Sequence, residues 1–112
     1  MKKINFKLEK NEEIIIDEKN INSIITKNKT TFIINGIKYS YENNIFTRET
    51  EEEIIKINFN KKNSIITLKK ENISLELNIE VKNIDKKDNK IILKYKIETE
   101  DNIINKITIE FI

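Results

Sequence analysis

The chain has no cysteine, histidine, proline or tryptophan, and its 112 residues include a single glycine, Gly36. Alanine and glutamine are absent as well. Without cysteine there is no disulfide framework, no thiolate nucleophile and no soft metal site. Without histidine the commonest general base and metal ligand near neutral pH are missing too. One glycine cannot build a phosphate-cradling loop. Long apolar runs are also lacking: the longest, such as Ile14 to Ile16, are three residues, far short of a membrane span. The N-terminal stretch MKKINFKLEKNEEIII alternates polar with apolar residues and has no small-residue cleavage site, so it does not read as a signal peptide. These absences lead us to expect a cytoplasmic protein that is not an enzyme, uses no cofactor or metal and does not engage a membrane.

An excess of one charge is missing as well. Lys plus Arg number 21 against 19 acidic residues, and the two signs are interleaved along the whole chain. Nucleic-acid and anionic-membrane surfaces usually concentrate their basic residues on one face. The interleaving reads instead as a solvated surface and argues against a nucleic-acid partner. What the chain does have is 27 Ile, 20 Lys and 17 Asn, the residues of A- and T-rich codons, which points to a genome of low G+C content. Frequency of Ile is therefore no measure of strand propensity here; position is.

Position is clearest in ISLELNIEV, where Ile73, Leu75, Leu77, Ile79 and Val81 alternate with Ser74, Glu76, Asn78 and Glu80. Codon bias cannot produce this period of two, the signature of a half-buried strand. It recurs in INFKL (Ile4, Phe6, Leu8), IIKINF (Ile55, Ile57, Phe59), IILKYKI (Leu93, Tyr95, Ile97) and INKITIEF (Ile103, Ile107, Ile109, Phe111). Clusters of Asn, Lys, Asp and Glu separate these runs, at 10–13, 60–63, 70–72, 85–89 and 100–102. Asn and Asp make turns without proline because they tolerate left-handed backbone. No window sustains a helical period. TRETEEEI, Thr47 to Ile54, is the one stretch that fits either a helical turn or a hairpin loop. The chain thus reads as one all-β domain over residues 1–112, an antiparallel up-and-down meander of about eight strands curled into a small, closed or nearly closed barrel.

Asn35-Gly36 between two strand-like runs is a strong hairpin signal, because a type I′ turn needs positive φ at both central residues. That turn fixes a register: Ile34 faces Ile37, Phe32 faces Tyr39 and Thr30 faces Tyr41, leaving Lys38 and Ser40 on the other side. For the later pair of strands, a loop over Asp85 to Asn89 predicts Val81 opposite Leu93, Ile79 opposite Tyr95, Leu77 opposite Ile97 and Glu80 opposite Lys94.

The hairpin NGIKYSYE together with the C-terminal third, ENISLELNIEVKNIDKKDNKIILKYKIETEDNIINKITIEF, resembles the YwiB-type bacterial domain of unknown function. Its members are calycin-like, that is lipocalin-like, antiparallel β-barrels. The likeness is one of pattern, covers most of residues 30 to 111 and implies a bacterial protein of that fold. The family's central hairpin, with its Arg-x-Gly and Tyr-x-Thr-Pro-Tyr-Gly segments, has no counterpart in SIITLKKENISL, so the resemblance implies a shortened barrel. It brings no catalytic or binding residues with it.

For acid–base chemistry only carboxylates are available, and Asp17/Glu18 and Glu51 to Glu53 are adjacent in charged loops rather than opposed across a cleft. Asp85-x-x-Asp88-Asn89 lacks the glycine and terminal acid of a calcium loop. Phe32, Tyr39, Tyr41 and Tyr95 could stack on bases or ligand rings, although their positions among Ile and Leu mark them first as core. Arg48, the one arginine, is a candidate to close a barrel end. Nearly all the inward positions are large, so the interior should be filled and any ligand should bind at the mouth. Three readings follow. The first is a non-enzymatic binding or interaction module with a protein partner. The second is a carrier of a small apolar ligand at the barrel mouth, and the third a single-stranded nucleic-acid binder through an aromatic face. The ligand-binding candidates are Phe32, Tyr39, Tyr41, Arg48 and Tyr95, and an exposed edge strand would allow a homodimer.

Overall fold

A computed structural model describes residues 2–112. Ten strands follow one another: β1 (Lys2–Lys10), β2 (Glu13–Thr26), β3 (Lys29–Ile34), β4 (Ile37–Glu42), β5 (Ile45–Glu49), β6 (Glu53–Asn58), β7 (Asn63–Leu68), β8 (Ile73–Lys87), β9 (Lys90–Ile97) and β10 (Asn105–Phe111). All pairings that we describe are antiparallel, and the hydrogen-bonded order β1-β10-β9-β8-β7-β6-β5-β4-β3-β2 closes on itself as an up-and-down barrel. Among the described residues there is no helix, hence none long and apolar enough to cross a membrane.

Ten strands replace the eight expected, and the additions have a physical origin. β2 lacks the alternation that marks the other strands: Ile14 and Ile15 are adjacent, as are Ile24 and Ile25, and all four are exposed. TRETEEEI is a hairpin, not a helical turn. Its loop is held by Thr50, whose Oγ1 accepts the Glu52 and Glu53 backbone N–H groups at 3.2 and 3.1 Å. A local hydroxyl acceptor of this kind offers the backbone an alternative to a helix.

The chain divides into two compact units, residues Met1–Asn22 with Ile79–Ile112 (unit 1) and Ser23–Asn78 (unit 2), so that the divisions fall within β2 and β8. In unit 1, β10 pairs with β1 through Phe6↔Ile109 and Leu8↔Ile107, and with β9 through Ile107↔Leu93 and Asn105↔Tyr95. The core of this unit is Ile4, Phe6, Ile79, Leu93, Tyr95, Ile107 and Ile109, all buried. The β8–β9 register differs from the expected one. Val81 faces Tyr95, Ile79 faces Ile97 and Glu80 faces Lys96, with a bulge between Val81 and Asn83. The strands run up to Lys87↔Lys90, so the connection is a tight turn at Asp88-Asn89. Shortening the loop slides β8 along β9, and the bulge restores inside-outside alternation.

In unit 2, β3 and β4 have the predicted register in full: Ile34↔Ile37, Ile33↔Lys38, Phe32↔Tyr39, Thr31↔Ser40 and Thr30↔Tyr41. Asn35 and Gly36 both have positive φ, 51° and 78°. A Cβ at Gly36 would meet nothing within 4 Å, so glycine is there for its backbone freedom rather than for space. Most other turns use asparagine, with Asn11, Asn43, Asn44, Asn72 and Asn102 in the left-handed region, while Lys27 and Lys62 take that conformation at two more. The abundance of Asn, ascribed above to codon usage, thus also performs the work of the missing glycines.

Candidate functional site

The aromatic residues singled out from the sequence lie on the inward face. Phe32 and Tyr39 stack with ring centroids 5.5 Å apart and planes at 15°, and Tyr39 meets Phe46 at 5.9 Å. Each such pair adds about 0.5–1.5 kcal/mol beyond its buried area. Phe32 and Tyr39 are 2 % and 1 % exposed. Tyr41 is buried too, and its hydroxyl donates to Asn44 Oδ1 at 2.8 Å. Burial pushes the Tyr41 phenol above its ordinary pKa, against an opposing contribution from the Asn44 backbone.

Arg48 is the ladder partner of Tyr39 and lies 3.4 Å from Glu53 Oε1, with both side chains about one-third exposed. The structure therefore brings Phe32, Tyr39, Tyr41 and Arg48 onto one face of unit 2. Tyr95 belongs to unit 1, opposite Asn105 and Val81. With three of the rings sealed in the core, a stacking surface for bases is not exposed.

The opposite face of unit 2 carries what sequence reasoning missed. A concavity of about 660 Å³ is lined by β4 to β7, with Lys29 of β3, Lys61 of the β6–β7 turn and Glu76 of β8. Its centre is a single row of ladder partners: Ser40 beside Thr47, Thr47 beside Lys56, Lys56 beside Ile65, and Ile65 beside Glu76. Five strands about 4.8 Å apart make this row roughly 20 Å long. Flanking it are Ile45 and Ile54, half-buried like Ile65, so the floor is apolar and the walls are polar.

Charge is distributed unequally along the groove. Lys69 Nζ lies 2.7 Å from Glu49 Oε2. This hydrogen bond, with smaller attraction from Lys69 and Lys38, holds the Glu49 carboxyl below the usual range against partial desolvation. Glu76 Oε2 accepts from Asn63 Nδ2 at 2.6 Å, which leaves Asn63 Oδ1 buried and without a partner among the described residues. Lys38 and Lys56 line the groove with no ion-pair partner among the described residues. The groove therefore offers the Lys56 ammonium, outside any ion pair among the described residues, and Lys38, whose charge also acts on its ladder partner Glu49, beside hydroxyls and amides that can donate or accept.

The signal for this face was present in the hairpin register, which already put Lys38 and Ser40 together. It became a site only when β5, β6 and β7 continued the same row. Among the described residues no three carboxylates converge as a metal-binding group. No family model, curated protein or solved structure matches this chain.

Proposed function

We propose that this protein is a non-enzymatic binding module whose recognition surface is the outer groove of unit 2. The ligand class is hydrophilic and extended, with an acidic group set against Lys38 and Lys56. The observation that carries the reading is the unbroken row Ser40–Thr47–Lys56–Ile65–Glu76, which puts hydrogen-bonding groups, an unpaired ammonium and an apolar floor in one concavity of about 660 Å³. That volume is within the range of small-ligand sites. The carrier reading lacks comparable support, because rings occupy the inward face of unit 2 and the groove walls are charged. As part of the same proposal we retain a bacterial, cytoplasmic protein allied to the YwiB-type, calycin-like domains; the closed up-and-down order supports that alliance.

The test is an NMR titration of isotope-labelled protein with a short oligoglutamate peptide, inorganic phosphate and an apolar dye in turn. An acidic probe should move the amides of Thr47, Lys56 and Ile65, and added salt should reverse the effect. Lys56→Glu should weaken binding roughly tenfold or more, since it replaces attraction by repulsion. Shifts confined to the aromatic face on adding the dye, or no shift with either acidic probe, would overturn the reading.

A further inference from the structure

β8 uses its two halves differently. Residues Ile73–Asn78 pair with β7, and residues 79–87 pair with β9. Each half therefore has one edge without a ladder partner among the described residues. β2 has a third such edge, because only Ser23–Thr26 pairs with β3. Unpaired edges invite strand addition unless charge, bulges or brevity defend them.

Two of these three edges are defended. On β2, Asp17, Glu18 and Lys19 are consecutive charges, and Asn20 takes a left-handed backbone, φ 57°, within the strand. On the second half of β8, a bulge interrupts the ladder after Val81, and Glu80, Lys82, Asp85, Lys86 and Lys87 crowd the strand. The edge at 73–78, ISLELN, has neither bulge nor lysine and one acid. Its apolar row points to the side that is buried elsewhere in unit 2, yet Ile73 and Leu75 are 50 % and 55 % exposed.

We propose that this edge is a homodimer interface, in which Ile73–Asn78 adds antiparallel to the same segment of a second copy. The occupant is argued from the register. A two-fold axis through Leu75 puts Leu75 against Leu75, Ile73 against Leu77 in both directions, and Ser74 against Glu76. Every apolar residue of the segment then meets an apolar one, and no like charges face each other. An axis through Glu76 would instead oppose two carboxylates. The span is bounded by β9, which begins its pairing at Ile79, and by the turn before Ile73. A second copy can therefore align in one way, and the isologous contact closes after two chains.

The test is sedimentation velocity over a dilution series up to about 1 mM, where small, weak interfaces populate. A monomer–dimer equilibrium is expected. Leu75→Lys sets two ammonium groups together on the axis and should weaken association roughly tenfold or more. Ser74→Lys should tighten the dimer by facing Glu76 of the second copy twice, and Ser74→Glu should loosen it. These opposite signs keep the proposal falsifiable even if Leu75→Lys impairs folding. A monomer across the whole range, or a dimer indifferent to all three changes, would overturn it.

Discussion

The two units bury different chemistry behind the same alternation. In unit 1 the most deeply covered side chains are Ile4, Leu93, Ile107 and Ile109, with Phe6 the one ring at that depth. In unit 2 the core is mostly rings, Phe32, Tyr39, Tyr41, Phe46 and Phe59 with Ile34 and Ile57, and it contains the small hydroxyl residues Ser23, Thr30 and Ser64. Their positions are systematic. Ser23 is the ladder partner of Phe32, Thr30 of Tyr41 and Ser64 of Ile57. A large side chain opposite a small one fills the inward face without overpacking, whereas an aliphatic sheet reaches the same density with residues of one size. The lesson is that a chain so rich in isoleucine builds one core mainly from aliphatic side chains, and uses rings where five short hairpin-linked strands need stronger cross-strand contacts.

The largest expected effect tests that contrast directly. Phe32→Ala in unit 2 should cost about 3–5 kcal/mol, because it removes a stacked ring and leaves Ser23 too small to fill the gap. Leu93→Ala in unit 1, a fully buried aliphatic, should cost about 2–5 kcal/mol and be the smaller of the two. Denaturant midpoints at constant m-value would measure both. If Leu93→Ala proved the more damaging, the stacked rings would not be the tighter cluster.

A pH experiment sharpens the comparison, because each unit has a buried tyrosine with a raised pKa. Desolvation raises the Tyr95 phenol far above its usual value, with Glu100 adding to the shift; Tyr41 is raised by burial and partly relieved by Asn44. A phenol whose folded pKa exceeds its unfolded value near 10 stabilises the fold fully below that value. The contribution is lost as pH rises, because the unfolded chain ionises first. For Tyr95 the loss should approach about 1.4 kcal/mol per pH unit above pH 10. Tyr95→Phe should flatten the alkaline limb of the stability curve, and Tyr41→Phe should flatten it less. An unchanged limb in Tyr95→Phe would place that hydroxyl in contact with water.

Much of this architecture was legible in the sequence, and the failures share a cause. Asn35-Gly36 specified the β3–β4 register residue for residue, since turn geometry and face chemistry agreed there. The β8–β9 register slipped by two because Asp85 to Asn89 reads as a five-residue loop, and nothing local announces the bulge at Lys82. Nothing in the pattern of β2 announces it, because isoleucine occupies its solvent positions while its one buried position is a serine; Ile24 is 59 % exposed and Ser23 1 %. The groove was illegible for a different reason. Ser40, Thr47, Lys56, Ile65 and Glu76 are far apart in sequence, and each reads alone as an ordinary outward residue. Only the accumulated register of five strands makes them neighbours.

The smallest expected effect compares two exposed ion pairs. Glu49 in unit 2 and Glu80 in unit 1 both have carboxyl pKa values held low, first by a hydrogen bond from Lys69 and Lys82 respectively. The Glu49 pair, at 2.7 Å, joins residues twenty apart in sequence. The Glu80 pair, at 2.9 Å, joins residues two apart and can form without the fold. A contact available to the unfolded chain shifts both states alike and contributes nothing to stability. A depressed carboxyl contributes above its unfolded pKa near 4.3, and the contribution disappears as pH falls through the lower folded value. Lys69→Met should therefore lower the denaturation midpoint slightly at pH 7 and not at pH 2, while moving the Glu49 carboxyl titration upward. Lys82→Met should leave the midpoint unchanged at both pH values. Solvent screening keeps the Lys69 effect small. Equal effects from the two lysines would mean that the Glu80–Lys82 contact depends on the bulged geometry of β8, and that the distinction between local and long-range pairs fails here.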